Sequence, residues 1–493
     1  MGALDSLAAY FEFEKHDTDL RTETLAGATT FLAMAYIIVV NPVILMPAIM
    51  TDPPAGMGEA EVLQMLAVVT ILASVVAILV MAFYARRPFG LAPGMGLNAF
   101  FAFTVVLGLN VPWQVALAAV FVEGVLFIVL TAVGARRYVI ELFPEPVKFA
   151  VGAGIGVFLL FLGFLEMGVI APYTDAKGNP TGTLIELGNF LVEPTAIVAV
   201  AGLALTLFLY ARGVTGSIVI GILSTAVVGW LVALFVPGQE GTFAPPETIG
   251  VIREQGFAAF LFDVQYNFLP LVEGFVQGLG QISENPLVFL LVVFTFFVVD
   301  FFDTAGTLIG VSGIAGFLDE NGDLPEIDKP LMADAIGTTV GSMIGTSTVT
   351  TYIESSTGVE EGGRTGFTAL VVGFLFLAAL VVVPLISLLP LYASYIALVV
   401  VGIIMLQGVA DIDWNDPVWA ISAGLTITVM PLTASIANGL AAGILSYPLI
   451  KSATGERRDV SLGQWVLALT LVVYYVLFFL ADGGFVGFAD GGF

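Results

Sequence analysis

Apolar runs long enough to cross a bilayer recur along the whole chain, among them Ala26–Met46, Met65–Tyr84, Trp113–Val133, Ala150–Ile170 and Thr368–Leu388. About 20 consecutive apolar residues is the length an α-helix needs to traverse the hydrocarbon. Read against Pro, Gly and charge punctuation, the pattern predicts fourteen spans. They fall near 26–46, 64–84, 91–108, 112–134, 146–171, 194–211, 215–236, 287–312, 331–345, 346–360, 365–388, 391–408, 417–431 and 434–450. With the N-terminus in the cytoplasm, inner segments hold thirteen basic residues and outer segments two, the asymmetry expected of membrane topology. The predicted class is an all-α polytopic membrane protein of the plasma membrane. A last run, Leu462–Leu480, reads either as a fifteenth span or as an interfacial helix.

Two spans cannot run as ordinary helices. The third opens "GLAPGMGLNAFFAF" (Gly90–Phe103), with Gly90, Pro93, Gly94 and Gly96 in its first half. The tenth reads "STVTTYIESSTG" (Ser347–Gly358), dense in Thr and Ser, with Glu354 among them. Each reads as a short extended piece followed by a half-helix. Freed backbone groups are tolerated at that depth only where they face protein, a cavity or a ligand.

The two halves share a pattern. Residues 201–224 begin "AGLALT" and end "GILS", and residues 423–446 begin "AGLTIT" and end "GILS". At an offset of 222, eight of 24 positions are identical without a gap. Seven spans per copy is an odd number, so the copies point in opposite directions across the membrane. Inverted repeats of this kind belong to secondary transporters, with the substrate near the midplane.

Span eight carries Asp300 and Asp303 in "FVVDFFDTAGTLIG". Residues at i, i+3 share a helix face, and Thr304 and Thr307 extend it. A carboxylate in hydrocarbon is costly, so it faces a bundle interior or a water-filled path. Glu354 on span ten is the natural counterpart, and neither span holds a basic residue. Such acids can take up and release a proton in a transport cycle, and an ionised one can accept two parallel N–H donors. Asp303, Glu354 and Asp300 are therefore the candidate proton-coupling residues. Phe100, Phe101, Phe302 and Tyr352 could offer a stacking face, and Thr351 is a further candidate substrate contact. Glu123 and Glu166 lie in spans without other breaks or polar clusters and read as packing or interfacial acids.

Composition fits a membrane protein and narrows the chemistry. The chain is 58% hydrophobic and 11% charged, with mean hydropathy +1.01, against about a quarter charged in soluble domains. It has no cysteine and one histidine, His16, which excludes disulfides and the usual zinc, haem and iron–sulfur ligand sets. No cofactor is expected. The net charge of −25 resembles that of halophilic proteins, where screening removes self-repulsion.

Four stretches carry a family likeness: "TTFLAMAYIIVVNPVIL" (Thr29–Leu45), "APGMGLNAFFAF" (Ala92–Phe103), "DFFDTAGTLIGV" (Asp300–Val311) and "TSTVTTYIESSTGVEEGGRTG" (Thr346–Gly366). They resemble the AzgA-like purine permeases of the uracil/xanthine permease superfamily, from about Glu12 to Lys451. The resemblance implies fourteen spans in two inverted seven-span repeats, with paired short strands in spans three and ten. It implies a core of spans 1–4 and 8–11 (residues 26–134 and 287–388) and a gate of spans 5–7 and 12–14 (residues 146–236 and 391–450). Outside these lie a cytoplasmic segment 1–25, an extracellular loop 237–286 and a C-terminal segment 451–493 with a hydrophobic helix. It further implies symport of hypoxanthine, guanine or adenine with protons, and a homodimer. By motif, the substrate-binding acids fall on Asp303 and Glu354, and the third-span contacts on Gly96 and Asn98. Uracil-type members place a histidine four residues after the eighth-span acid; here that position is Thr307.

Other readings are a xanthine or uracil carrier or a small-anion transporter of the same architecture, with Na⁺ in place of H⁺ as a second coupling option. An anion site would want positive charge, and Asp303 and Glu354 speak against it. An intramembrane enzyme lacks support, because Asp300 and Asp303 sit on one helix turn and a catalytic dyad comes from facing elements. No HExxH, GxSxG or P-loop pattern is present, and nothing points to nucleic acid.

Overall fold

A computed structural model describes residues 3–134, 142–174, 180–190, 192–236, 240–243, 267–283, 286–319 and 324–481. The chain divides into two compact units, residues 1–134 with 201–397 and residues 135–200 with 398–493. Among the described residues, nine helices are long and apolar enough to cross a membrane. The remaining apolar segments are shorter or broken, and the breaks explain much of the difference from fourteen continuous spans.

In the first unit, span one splits into Leu20–Met34 and Ile37–Ile49, the second piece carrying Pro42 and Pro47. The join tightens to three-residue turns, with Ile38 N donating to Ala35 O at 3.1 Å and Val39 N to Tyr36 O at 3.0 Å. The start of span one is pinned by Glu23, which has no exposed surface. Its carboxylate accepts from Arg364 N at 3.0 Å, Thr365 N at 3.3 Å and Thr368 N at 3.2 Å, and from the hydroxyls of Thr365 at 2.9 Å and Thr368 at 2.6 Å. These N–H groups lie at and just before the start of the Gly366–Ala379 helix, where intrahelical acceptors run out; Thr368 N also donates to Thr365 O at 3.2 Å. The N-terminal segment, polar by sequence, is anchored by buried Phe11 and Phe13, both edge-on to Phe367.

Spans three and ten are broken where the sequence predicts. Strand Leu91–Pro93 pairs antiparallel with Val349–Thr351, in register Leu91↔Thr351, Ala92↔Thr350 and Pro93↔Val349. Gly94 N donates to Thr348 O at 3.0 Å and Tyr352 N to Gly90 O at 3.0 Å, extending the ladder at both ends. The ladder uses backbone groups that lipid could not satisfy. On the open side of the second strand, Thr338 Oγ1 accepts from Val349 N at 2.9 Å. The approach is close: a Cβ on Gly94 would lie 2.7 Å from Thr350 Cγ2. After the strands come Met95–Ala99, which widens into a π-helix over Phe100–Gly108, and the short helix Ser355–Glu360.

Two further segments differ from the sequence expectation. Span five ends at Glu166, and Ile170–Thr174 instead pairs with Pro180–Leu187 as a hairpin. Its residues 175–179 lie outside the described residues. The expected loop 237–286 contains a helix, Leu269–Gln281, whose Gly274 meets the Trp113 ring and whose Gly278 meets the Gln114 carbonyl. Most of the rest of that loop lies outside the described residues, as do the side chain of Phe302 and residues 482–493.

The second unit packs Glu145–Glu166 against Pro417–Leu432 and Ile436–Ala453. Small residues allow it, with Gly154 against Met430 and Gly443 against the Thr426 hydroxyl. This is the contact type expected where lipid offers no hydrophobic drive between helices. The last apolar run is the helix Leu462–Ala481, tied back by Tyr475 Oη donating to Asn438 Oδ1 at 2.7 Å.

Candidate functional site

The candidate site lies within the first unit, where span eight passes the paired strands. Asp300 and Asp303 stand on one unbroken helix, Pro286–Ala315. Three residues of α-helix separate their directions by about 60°, and that rotation gives them different company. Asp303 faces Glu354 of span ten. Asp300 faces Glu123 of the Trp113–Ala132 helix.

Glu354 immediately precedes the short helix Ser355–Glu360 and is partly exposed, as Asp303 is. One of its oxygens, Oε1, accepts from the buried Tyr36 hydroxyl at 2.5 Å. Tyr36 sits at the break of span one. Its neighbour in the site, Tyr352, donates to Pro93 O at 2.6 Å and so ties the two strands together.

Behind these acids is a layer of hydroxyls and one further carboxylate. Thr304, next to Asp303, shares a 2.8 Å hydrogen bond with Thr350 of the strand. Asp334, fully buried on the Asp328–Ile344 helix, accepts from Thr351 N at 3.2 Å and Thr351 Oγ1 at 3.0 Å. Thr351 therefore spends its hydroxyl on the scaffold. Asn98 is fully buried in the third-span half-helix, its Oδ1 accepting from the Ser347 hydroxyl. Its Nδ2 has no partner, a donor left over for a ligand. Gly96 is buried in the same Met95–Ala99 turn. Phe100 is buried and set edge-on to Phe296, centroids 4.7 Å apart at 74°.

The structure thus brings Asp303, Glu354, Asn98, Gly96, Phe100 and Thr351 to one region around the strand pair, and turns Asp300 away towards span four. Glu123 has no exposure, so it is a carboxyl of the bundle interior and not an interfacial one. Sequence reasoning missed Asp334 and Tyr36. Asp334 carried the same signal as Asp300, a carboxylate inside an apolar span. Tyr36 carried none, because its partner lies 318 positions away. Among the described residues no set of three His, Cys, Asp or Glu is arranged to hold a metal ion. Facing carboxylates, with strand hydroxyls and the unpartnered Asn98 Nδ2 in the same region, suit a small polar ligand that presents N–H donors.

A family model described as the Permease family, for xanthine and uracil permeases, matches residues 21–442. A permease of Methanocaldococcus jannaschii is 44% identical over 474 residues, covering 96% of this chain and 98% of its own. The guanine/hypoxanthine permease PbuG of Bacillus subtilis is 38% identical, covering 95% and 99%. The adenine permease AdeP of Escherichia coli is 36% identical, covering 95% and 96%. Among solved structures, the transmembrane domain of the cyanobacterial bicarbonate transporter BicA superposes with a TM-score of 0.52 at 13% identity, over 86% of this chain and 97% of that one. SLC26A9 gives 0.55 at 11% identity, over 90% and 66%.

Proposed function

The chain belongs to the xanthine/uracil permease family, and on that premise we infer that it imports purine nucleobases by cation symport with alternating access. It is a transporter and not an enzyme. The observation that carries the purine reading is the Asp303–Glu354 pair, together with the Asn98 Nδ2 left without a partner on the third-span half-helix. A carboxylate accepts two parallel N–H donors, the edge that guanine offers through N1–H and its exocyclic amine, and it accepts a single N–H from hypoxanthine or adenine as well. The names of the full-length relatives, adenine and guanine/hypoxanthine permeases, point the same way.

In this reading Asp303 holds the N–H edge of the base. Glu354, steadied on one oxygen by Tyr36, shares the base or its proton. Asn98 and the backbone near Gly96 complete the cradle, with Phe100 at its apolar wall and Thr351 supporting through Asp334. The coupling cation is a proton, and Na⁺ is the competing option.

The strands at matched positions of spans three and ten support two inverted seven-span repeats. A core of 26–134 and 287–388 then carries the site and moves against a gate of 146–236 and 391–450. The N-terminus lies in the cytoplasm, the membrane is the plasma membrane, and the working form is a homodimer.

The test is uptake of radiolabelled hypoxanthine in cells lacking their own purine carriers, with guanine, adenine, xanthine and uracil as competitors. Wild type should concentrate purine under an imposed pH gradient, and Asp303→Asn should not, at equal membrane insertion. If both insert and neither moves a nucleobase, the purine assignment fails.

A further inference from the structure

The site described so far leaves one buried pair without a task. Glu123 and Asp300 come from different helices, both with 0% exposure. None of their four carboxyl oxygens takes a hydrogen bond from any donor. The two groups meet within hydrogen-bond reach of each other. The other ionisable groups acting on Asp300 are Asp334 from span nine and Asp303 from its own helix, and Glu123 is faced by Asp300. All are acids, and no Lys, Arg or His occurs in span four or span eight.

Packing does not explain such a pair. An isolated ionised carboxylate taken out of water costs tens of kcal/mol in the continuum limit, and in practice the group neutralises instead. Two that touch cannot both stay ionised. A single proton between them converts the repulsion into a short, charge-assisted O–H···O⁻ bond, and the pair then titrates as one unit.

We propose that Glu123 and Asp300 form a carboxyl pair that carries the coupling proton, apart from Asp303 and Glu354, which hold the base. Asp300 lies one helix turn from Asp303. A proton taken up by the pair removes a negative charge beside Asp303 and eases its ionisation as the acceptor of the base's N–H groups. Binding of the base in turn strengthens retention of the proton, because the coupling of two ligands is reciprocal. The proton enters from one aqueous side and leaves to the other, with no bond made or broken besides O–H. This inference rests on the transport reading above, and it assigns the proton and the base to different carboxyl groups.

Two readouts on the full chain in liposomes test it. The first is the infrared band of protonated carboxyl groups, followed through a pH titration. It should be present in wild type and lost or displaced in both Glu123→Gln and Asp300→Asn; spectra matching wild type would overturn the pair. The second compares accumulation of labelled hypoxanthine under a pH gradient with its equilibrium exchange. In the near-isosteric Glu123→Gln, accumulation should fall roughly tenfold further than exchange, and Glu123→Asp, which keeps the acid, should recover part of it. Equal falls in both modes, or accumulation at the wild-type level, would overturn proton carriage by the pair. A wild type that binds no nucleobase would sink the purine reading alone, while the infrared band would still decide the pair.

Discussion

Removing the Glu23 carboxylate should loosen the joint between spans one and eleven, and its size can be worked from the hydrogen bonds. In Glu23→Ala, the N–H groups of Arg364 and Thr365 lose their acceptor, as do two hydroxyls, while Thr368 N keeps its bond to Thr365 O at 3.2 Å. The hydroxyls can turn to nearby carbonyls, but the N–H groups are fixed by the helix that follows. Each buried orphan costs about 1–3 kcal/mol. Against that stands the recovered cost of burying a charge, leaving a net loss of about 2–4 kcal/mol. Glu23→Gln is milder, since its amide oxygen can serve the four donors that Oε2 serves and only Arg364 N then faces an NH₂. The assay is the apparent melting temperature of the detergent-solubilised protein. At about 2 °C per kcal/mol, Glu23→Ala should melt roughly 4–8 °C lower, with Glu23→Gln between it and wild type. If both variants melt with wild type, the carboxylate is not holding the joint and the reasoning fails.

Tyr36→Phe keeps the buried ring and deletes the donor to Glu354; purine affinity should weaken about five- to tenfold, the worth of roughly 1 kcal/mol, read as a rise in the concentration that half-saturates uptake. Thr351→Val should lower stability by about 1–3 kcal/mol by removing the hydroxyl that donates to Asp334, whereas Thr351→Ser should melt and transport as wild type; a Ser variant as weak as Val would show that the hydroxyl is not the point. Gly278→Ala drives a Cβ into the Gln114 carbonyl, while at Gly280 nothing lies within 4 Å. Thermal melts should accordingly show a loss of about 1–3 kcal/mol for the first and none for the second.

How much of this was written locally can be judged element by element. The breaks in spans three and ten were legible because Gly90, Pro93, Gly94 and Gly96, and the Ser/Thr run of 347–357, disfavour continuous helix where they stand. The hairpin at Ile170–Thr174 was not, since Val169, Ile170 and Ala171 extend the apolar run of span five without a period that separates strand from helix. The helix Leu269–Gln281 escaped because it is neither apolar nor long enough to read as a span, with Glu273 and Gln277 exposed and Leu271 and Phe275 buried. Asp303 and Glu354 could be singled out because carboxylates are rare in hydrocarbon. The partition of partners could not be. Which acid faces Asp303 and which faces Asp300 depends on how a 30-residue helix is rotated against spans four and ten, and that is decided by packing among residues hundreds of positions apart.

The strand ladder has a consequence for biogenesis. Pro93 and Tyr352, joined across it, are 259 positions apart, so the first strand is inserted long before its partner exists. At translation rates of 5–20 residues per second the wait is on the order of ten to fifty seconds. During that interval the backbone of Leu91–Pro93 has no ladder to satisfy it, and lipid cannot substitute. A nascent chain stopped between Pro93 and Val349 therefore carries an unmet row of hydrogen-bonding groups inside the bilayer. Such truncations are fit for a membrane chaperone or a quality-control protease, and the first four spans mature only when the tenth arrives.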